Sequence, residues 1–301
     1  MAKSKKPSAF ALWVAGARLR TLPLAIAPVL LGVGIALGYG KFNWLLSALA
    51  LAVALLLQIG VNYANDYSDG IRGTDAHRVG PIRLTGSGAA KPKAVLAAAL
   101  LSFALAGVAG LVIVVVTGLW WLLAVGAVSI ISAWFYTGGK RPYGYEGLGE
   151  LAVFVFFGLV ATLGTSYIQV HAIGLPDLLL AVAAGLFATA VLLVNNIRDI
   201  ATDGPAGKRT LALRIGAKPA KALFLAMIWL PFTLLTSVAF IAYPTVLIGW
   251  FSALLVAVVT VIVLTEKSAR ELILCLKLTS FAALAFAALV LVGLAGVGQL
   301  Y

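Results

Sequence analysis

Charge is what this 301-residue chain has least of. Only ten residues are Asp or Glu, against 22 Lys and Arg, and 62% of the sequence is hydrophobic. A soluble domain of that composition would lack the polar residues to cover its own surface. Cys275 is the one cysteine, which excludes an internal disulfide and a cysteine-based metal cluster. With His77 and His171 the only histidines, the ligands of a usual zinc site are missing as well. Glycines 32, 34 and 38 miss the dinucleotide-binding spacing and fall in an apolar run, where small residues serve helix packing. Gly207-Lys208-Arg209-Thr210 lacks the upstream glycine of a phosphate loop and has Arg where Ser or Thr should follow Lys. Neither a Ser-His-Asp nor a Cys-His arrangement stands out.

What the chain does have is length without charge. Seven stretches carry no Asp, Glu, Lys or Arg: 21–40, 42–65, 94–139, 151–176, 178–197, 222–265 and 278–301, together about two-thirds of the protein. This excludes a soluble enzyme, a secreted disulfide scaffold and a nucleic-acid binder. A membrane-crossing helix needs roughly 20 apolar residues at about 1.5 Å each, so the two longest stretches each hold two spans. Thr117-Gly118 and Tyr243-Pro244 sit where their turns belong. The runs lack the period-two alternation of a barrel strand. The expected fold is therefore all-α, with nine transmembrane helices around a central cavity open to the cytoplasmic face, and residues 1–301 form one transmembrane domain.

Orientation follows from the bases, because short cytoplasmic loops retain Lys and Arg. With nine spans, every Lys and Arg except Lys41 falls on the side of the N-terminus. The N-terminus is thus expected in the cytoplasm and the C-terminus on the opposite side of the cell membrane. The basic segment 1–20 could suit a signal peptide, but the apolar run after it is longer than the ~7–15 residues of such a segment. From Phe10 to Arg20, apolar residues between basic ones read as a short amphipathic interfacial helix.

Half of the acids form two clusters, Asp66, Asp69 and Asp75, then Asp199 and Asp203, in the cytoplasmic segments 66–93 and 198–221. Each begins where hydrocarbon should still be close, so solubility does not explain it. Asn62 and Asp66, Asn65 and Asp69, and Asp199 and Asp203 are four residues apart, which puts each pair on one helix face. The frame Asn62-x-x-x-Asp66 recurs as Asn195-x-x-x-Asp199, consistent with a degenerate repeat facing a shared cavity. Converging carboxylates repel unless a cation compensates, and oxygen ligands alone suit Mg2+, which shares its shell with phosphates. Arg72, Arg78, Arg83, Lys140, Arg141, Arg198, Lys208 and Arg209 share that face and can pair with diphosphate oxygens.

A secondary transporter of a divalent cation or small anion is the competing class, since it too uses paired membrane acids. It would place them near the midplane, whereas every acid except Asp177 lies at or beyond a cytoplasmic helix end. A CDP-alcohol phosphotransferase would need further acids after Ala76-His77-Arg78, and residues up to 88 contain none.

Asn65-Asp66-Tyr67-Ser68-Asp69-Gly70 and Asp199-x-x-x-Asp203 resemble the two aspartate-rich motifs of the UbiA-type intramembrane aromatic prenyltransferases. Tyr136-Thr137-Gly138-Gly139-Lys140 resembles that superfamily's Tyr-x-x-x-Lys element. Three details resemble the 1,4-dihydroxy-2-naphthoate polyprenyltransferase branch of menaquinone biosynthesis. These are Gly73 and Asp75 leading into Gly80-Pro81-Ile82-Arg83, the stretch Arg141 to Glu150, and Asn195-Asn196-Ile197-Arg198-Asp199 continuing to Gly207-Lys208-Arg209-Thr210-Leu211. The resemblance implies transfer of a prenyl group from polyprenyl diphosphate to 1,4-dihydroxy-2-naphthoate, with loss of the ring carboxylate as carbon dioxide. It implies Mg2+ on Asn65, Asp69, Asp199 and Asp203, with Asp66, a further motif position, counted among the expected metal ligands, and Tyr136 and Lys140 at the diphosphate. Asp66, Asp75, Tyr136 and Lys140 are the expected catalytic residues. The acid or base stays open among Asp75, Glu146 and Glu150. Tyr67, Phe135, Tyr143 and Phe154 are candidates for shielding an allylic cation with their ring faces. The partners implied are the two substrates and the lipid bilayer, with no nucleic acid.

Overall fold

The computed structural model describes residues 8–74 and 83–297, and among these there are helices and no strands. Asp75 and Arg78 lie outside the described residues. Short helix α1, Ala9–Gly16, is followed by α2, Pro23–Gly38, α3, Trp44–Arg72, α4, Pro92–Thr117, and α5, Leu122–Phe135. Then come α6, Gly149–Val170, α7, Leu175–Asp203, a one-turn helix α8, Leu211–Ile215, α9, Ala217–Ile241, α10, Pro244–Thr265, and α11, Ala269–Val297.

The expected turns are where the chain breaks. α4 stops at Thr117, with Gly118 left-handed at φ 72°, and α9 and α10 are separated by Ala242 and Tyr243. Among the described residues seven helices are long and apolar enough to cross a membrane, and the protein is an integral, multi-pass membrane protein. The other two expected spans are shorter. α2 has 16 residues and is bent by 48° from the segment before it, and α5 has 14. The charge-free runs overstate these two because each also contains turns, at 39–40 and at 118–121. The segment expected as an amphipathic helix is instead α1, Ala-Phe-Ala-Leu-Trp-Val-Ala-Gly, which has no polar face.

α7 is the central helix: 72% of its apolar window is buried within the protein, against at most 50% for any other span. Its buried small residues, Ala181, Ala183, Ala184, Gly185, Ala188 and Ala190, let neighbours approach closely. A Cβ on Gly158 of α6 would meet Gly185 Cα at 2.4 Å, and α6 is π-helical through this contact, Phe154–Val160. On the other side Phe187 packs with Phe232 of α9 and Phe286 of α11, ring centroids 5.3–6.2 Å apart. This half is solid. α5, across the molecule, has no fully buried residue, because its inner side faces a cavity.

Asn65, Asp66, Asp69, Asp199 and Asp203 sit on the last helical turns, where the four-residue spacing puts them: α3 runs on to Arg72 and α7 to Asp203. Gly73 ends α3 with φ 73°, a left-handed conformation that favours glycine. Asp177, the one acid at the opposite end, is tied off as an N-terminal cap, accepting from Gly174 N at 2.8 Å and from the Tyr39 hydroxyl at 3.1 Å.

Candidate active site

A cavity of 640 Å³ lies between α2, α3, α4, α5, α6 and α7. Its polar end is lined by Asn65, Asp69, Arg83, Tyr136, Tyr145, Asp199, Asp203 and Lys208, further polar groups come from Arg18, Gln58, Asn62, Asn195, Asn196 and Thr210, and most of the remaining lining is apolar. A second pocket of 440 Å³, lined by Arg72, Thr74, Asp199 and Lys208 among others, shares Asp199 and Lys208 with it. The ends of α3 and α7 therefore bring the two motifs to one place.

Asp69 is the hub. It is 3% exposed. Its Oδ2 is 3.4 Å from Arg83 Nη2 and 3.9 Å from Lys208 Nζ, and its Oδ1 accepts from the Tyr145 hydroxyl. Lys208 Nζ is also 3.9 Å from Asp203 Oδ1, so acids from α3 and α7 face each other across one ammonium. Lys208 Nζ lies 4.8 Å from the centroid of the Tyr145 ring and the Arg72 guanidinium 5.6 Å from it. Burial, and then Asp69, push the Tyr145 hydroxyl well above the ordinary phenol range, which keeps it a proton donor. Asp199 is held by Arg198, whose Nε and Nη2 donate at 2.7 and 2.6 Å, while Nη2 also donates to Asn195 at 2.9 Å. Asn65 Oδ1 accepts from Thr137 at 2.7 Å, and Arg72 donates to the carbonyls of Thr137 and Gly139.

Other expected residues are placed differently. Asp66 is 1% exposed and does not line the cavity. Its two oxygens accept from the amides of Leu84 and Thr85, both at 2.8 Å, so it anchors the loop that carries Arg83. Asn62 donates to the Ala17 carbonyl at 3.0 Å and ties down the N-terminal segment. The recurring Asn-Asp frames therefore serve different partners in the two helices. Lys140, Arg141 and Arg209 are exposed and outside the cavity lining, the first two because the loop after α5 turns outward beyond Gly138. Tyr136 does line the cavity, and burial followed by Glu150 raises its hydroxyl far above the phenol range. Of the acid-base candidates, Glu150 is buried and accepts from Asn196 at 2.8 Å, and exposed Glu146 is 3.6 Å from Arg214. Of the aromatic candidates only Tyr143 lines the cavity, while the Phe154 ring packs against Gly185.

Sequence reasoning missed Tyr145, Arg18, Phe156 and Phe157, all of which line the cavity. Arg18 does so in a left-handed backbone conformation, φ 53°, uncommon for a residue with a side chain. Nothing in their spacing marks them, since each reaches the site through a turn or a helix face set by packing.

The donor set suits a hard divalent cation: Asn65, Asp69, Asp199 and Asp203 all offer oxygen, and Asp69 and Asp203 already converge on one positive charge. Among the described residues no three His, Cys, Asp or Glu side chains lie close enough to hold an ion by themselves. An ion here would complete its shell with water or phosphate oxygen, as Mg2+ habitually does.

Residues 25–281 match the UbiA prenyltransferase family. The chain is 50% identical over 293 residues to a 1,4-dihydroxy-2-naphthoate octaprenyltransferase of Mycobacterium tuberculosis, covering 97% of this chain and 99% of that one. It is 42% identical to the Escherichia coli protein of the same name, over 69% of this chain and 70% of that one. In fold it resembles a UbiA homologue from Archaeoglobus fulgidus bound to GPP and Mg2+. The TM-score is 0.62 at 15% identity, covering 92% of this chain and 99% of the other. A cavity that joins a charged mouth to an apolar limb, in a chain matched along most of its length, makes this protein a member of the UbiA prenyltransferase family.

Proposed function

We propose that the protein transfers a polyprenyl group from polyprenyl diphosphate to 1,4-dihydroxy-2-naphthoate, releasing diphosphate and carbon dioxide and giving demethylmenaquinol. The observation that carries this reading is one cavity whose polar end gathers acids and bases from α3 and α7 while most of its remainder suits a hydrocarbon tail. The names of the relatives supply the acceptor.

The whole chain works as one transmembrane domain of nine spans in the cell membrane, with the N-terminus and the cavity mouth on the cytoplasmic side and the C-terminus opposite. Mg2+, held by Asn65 and Asp69 from α3 and by Asp199 and Asp203 from α7, would supply charge neutralisation for the departing diphosphate. Arg72, Arg83, Arg198 and Lys208 are within or beside the mouth and meet the same negative charge. Tyr136, kept protonated by burial, donates to a diphosphate oxygen. The bond from the allylic carbon to oxygen breaks with its electrons going to diphosphate. The electron-rich ring then forms the new carbon–carbon bond, and the bond to the carboxylate breaks to restore the ring. Tyr143, Phe156 and Phe157 also line the cavity, and an aromatic face can stabilise an allylic cation. Exposed Lys140, Arg141 and Arg209 raise the local concentration of the anionic substrates. Asp66 serves as the loop anchor and not as a ligand. Asp75 as a proton acceptor and Arg78 as a diphosphate partner rest on the sequence alone.

Purified protein given Mg2+, octaprenyl diphosphate and 1,4-dihydroxy-2-naphthoate should release diphosphate and carbon dioxide in equal amounts. Release of neither would overturn the reading, and turnover only with 4-hydroxybenzoate would replace the acceptor. Tyr145→Phe keeps the ring beside Lys208 and Arg72 but removes the donor to Asp69. It should raise the Mg2+ concentration needed for half-maximal rate by about 10–100-fold, the cost typical of losing a partner that orients a metal ligand. An unchanged Mg2+ requirement would mean that the hydroxyl does not orient Asp69.

A further inference from the structure

Glycine inside a helix is destabilising relative to alanine, so each one there calls for a reason. Most have one. An added Cβ at Gly32 would lie 2.6 Å from the Thr162 carbonyl oxygen, at Gly60 2.5 Å from the Phe103 ring, and at Gly293 2.6 Å from the Thr245 carbonyl oxygen. These glycines let helices touch. Others, such as Gly73 and Gly118, close helices in left-handed conformations. Gly110, Gly126 and Gly164 have neither reason: each is inside a helix without positive φ, and an added Cβ would meet nothing within 4 Å. Among the described residues the only other glycine of this kind is Gly296, at the end of α11.

These three come from three different helices, α4, α5 and α6, and all of them line the apolar limb of the cavity. The space beside each Cα is therefore cavity space, and a side chain there would project into it. Gly126 is ten residues along α5 from Tyr136 at the polar end, a rise of about 15 Å. Gly164 is fifteen residues along α6 from Gly149, a rise of about 22 Å. Both are far from the carboxylates yet within reach of a tail whose first carbon is at the diphosphate.

We propose that Gly110, Gly126 and Gly164 are specificity-determining residues that set the length of polyprenyl tail the enzyme accepts. This rests on the prenyl-transfer reading above. By leaving the limb wide along its course they admit a long, methyl-branched chain, at the cost of the helix stability that alanine would supply.

The test uses Gly126→Leu and Gly164→Leu in the full-length protein, with Gly126→Ala and Gly164→Ala as better helix formers of smaller bulk. Each is assayed with geranyl and octaprenyl diphosphates, and thermal stabilisation by each diphosphate with Mg2+ is read in parallel without acceptor. The leucine variants should lose about tenfold or more in kcat/KM for the octaprenyl substrate, the scale of a steric mismatch in an apolar pocket, and much less for the geranyl one. Octaprenyl diphosphate should also stabilise them less than it stabilises wild type. Gly126→Leu should reject shorter tails than Gly164→Leu, because its obstruction is nearer the diphosphate. Should a leucine variant fail to fold, the alanine variant should show the same change of preference at smaller size. An unchanged ratio between the two diphosphates, in rate and in stabilisation, would overturn the proposal. Wild type that is stabilised by octaprenyl diphosphate but prenylates no naphthoate would instead refute the acceptor assignment and leave this test intact.

Discussion

Asp69→Asn should lower prenyl transfer by about 10³-fold with a stability loss of only about 1–2 kcal/mol, because what it removes is charge at the point where metal and leaving group meet. The asparagine oxygen can still accept from Tyr145, so the closest neutral contact survives. The two cations that lose a partner are at 3.4 and 3.9 Å, and Lys208 is the less buried of them and can turn toward solvent. What the variant cannot do is present a second charged oxygen, and with so few acids at the mouth no described neighbour replaces it. Turnover measured beside thermal melting in detergent separates these effects. A variant with near-normal turnover would mean that Asp69 is only part of the cation network.

Asp66, one helical turn earlier, should behave in the opposite way. Asp66→Ala should destabilise the protein by about 3–5 kcal/mol, since hydrogen bonds to a charged group contribute roughly 1.5–3 kcal/mol each and two buried amides are left without their acceptor. Both bonds are 2.8 Å and the side chain is 1% exposed, so water cannot easily take over. Asp66→Asn should fall between, because its amide nitrogen would face a backbone N–H. The lost activity should follow the unfolded fraction and the displaced Arg83 loop. Denaturant melts of the two variants provide the check. Full stability with lost turnover in Asp66→Ala would return Asp66 to the metal site.

The contrast between these two acids also shows how far the sequence could be read. Asp66 and Asp69 are three residues apart, within one turn, so spacing put both on the same side of α3. Only the fold of the 83–90 loop decides that one faces backbone amides and the other a cavity. Similarly, charge-free runs located the helices well, since hydrocarbon tolerates little else. Run length overestimated α2 and α5, because turns can also be apolar. Lys140 was expected at the diphosphate from its motif, yet the left-handed Gly139 beside it sends it outward. Tyr145 was invisible for the reverse reason: its ring position comes from three segments, α3, the 136–148 loop and the 204–210 loop. Its carbonyl accepting from Arg209 N at 2.6 Å helps bind the last two together. Residue types and one-helix periodicity were legible. Partnerships between loops, and the open side of the three glycines, required the packed chain.

The most direct test of a carboxylate site shared between α3 and α7 is Mn2+ binding followed by electron paramagnetic resonance, with a non-hydrolysable prenyl diphosphate present and absent. Wild type should bind Mn2+ tightly only with the diphosphate, because the protein alone brings too few acids together. Both Asp69→Asn and Asp199→Asn should weaken that binding by about 10–100-fold. Mn2+ affinity equal to wild type in either variant, with the diphosphate bound, would contradict a metal site built from both helices.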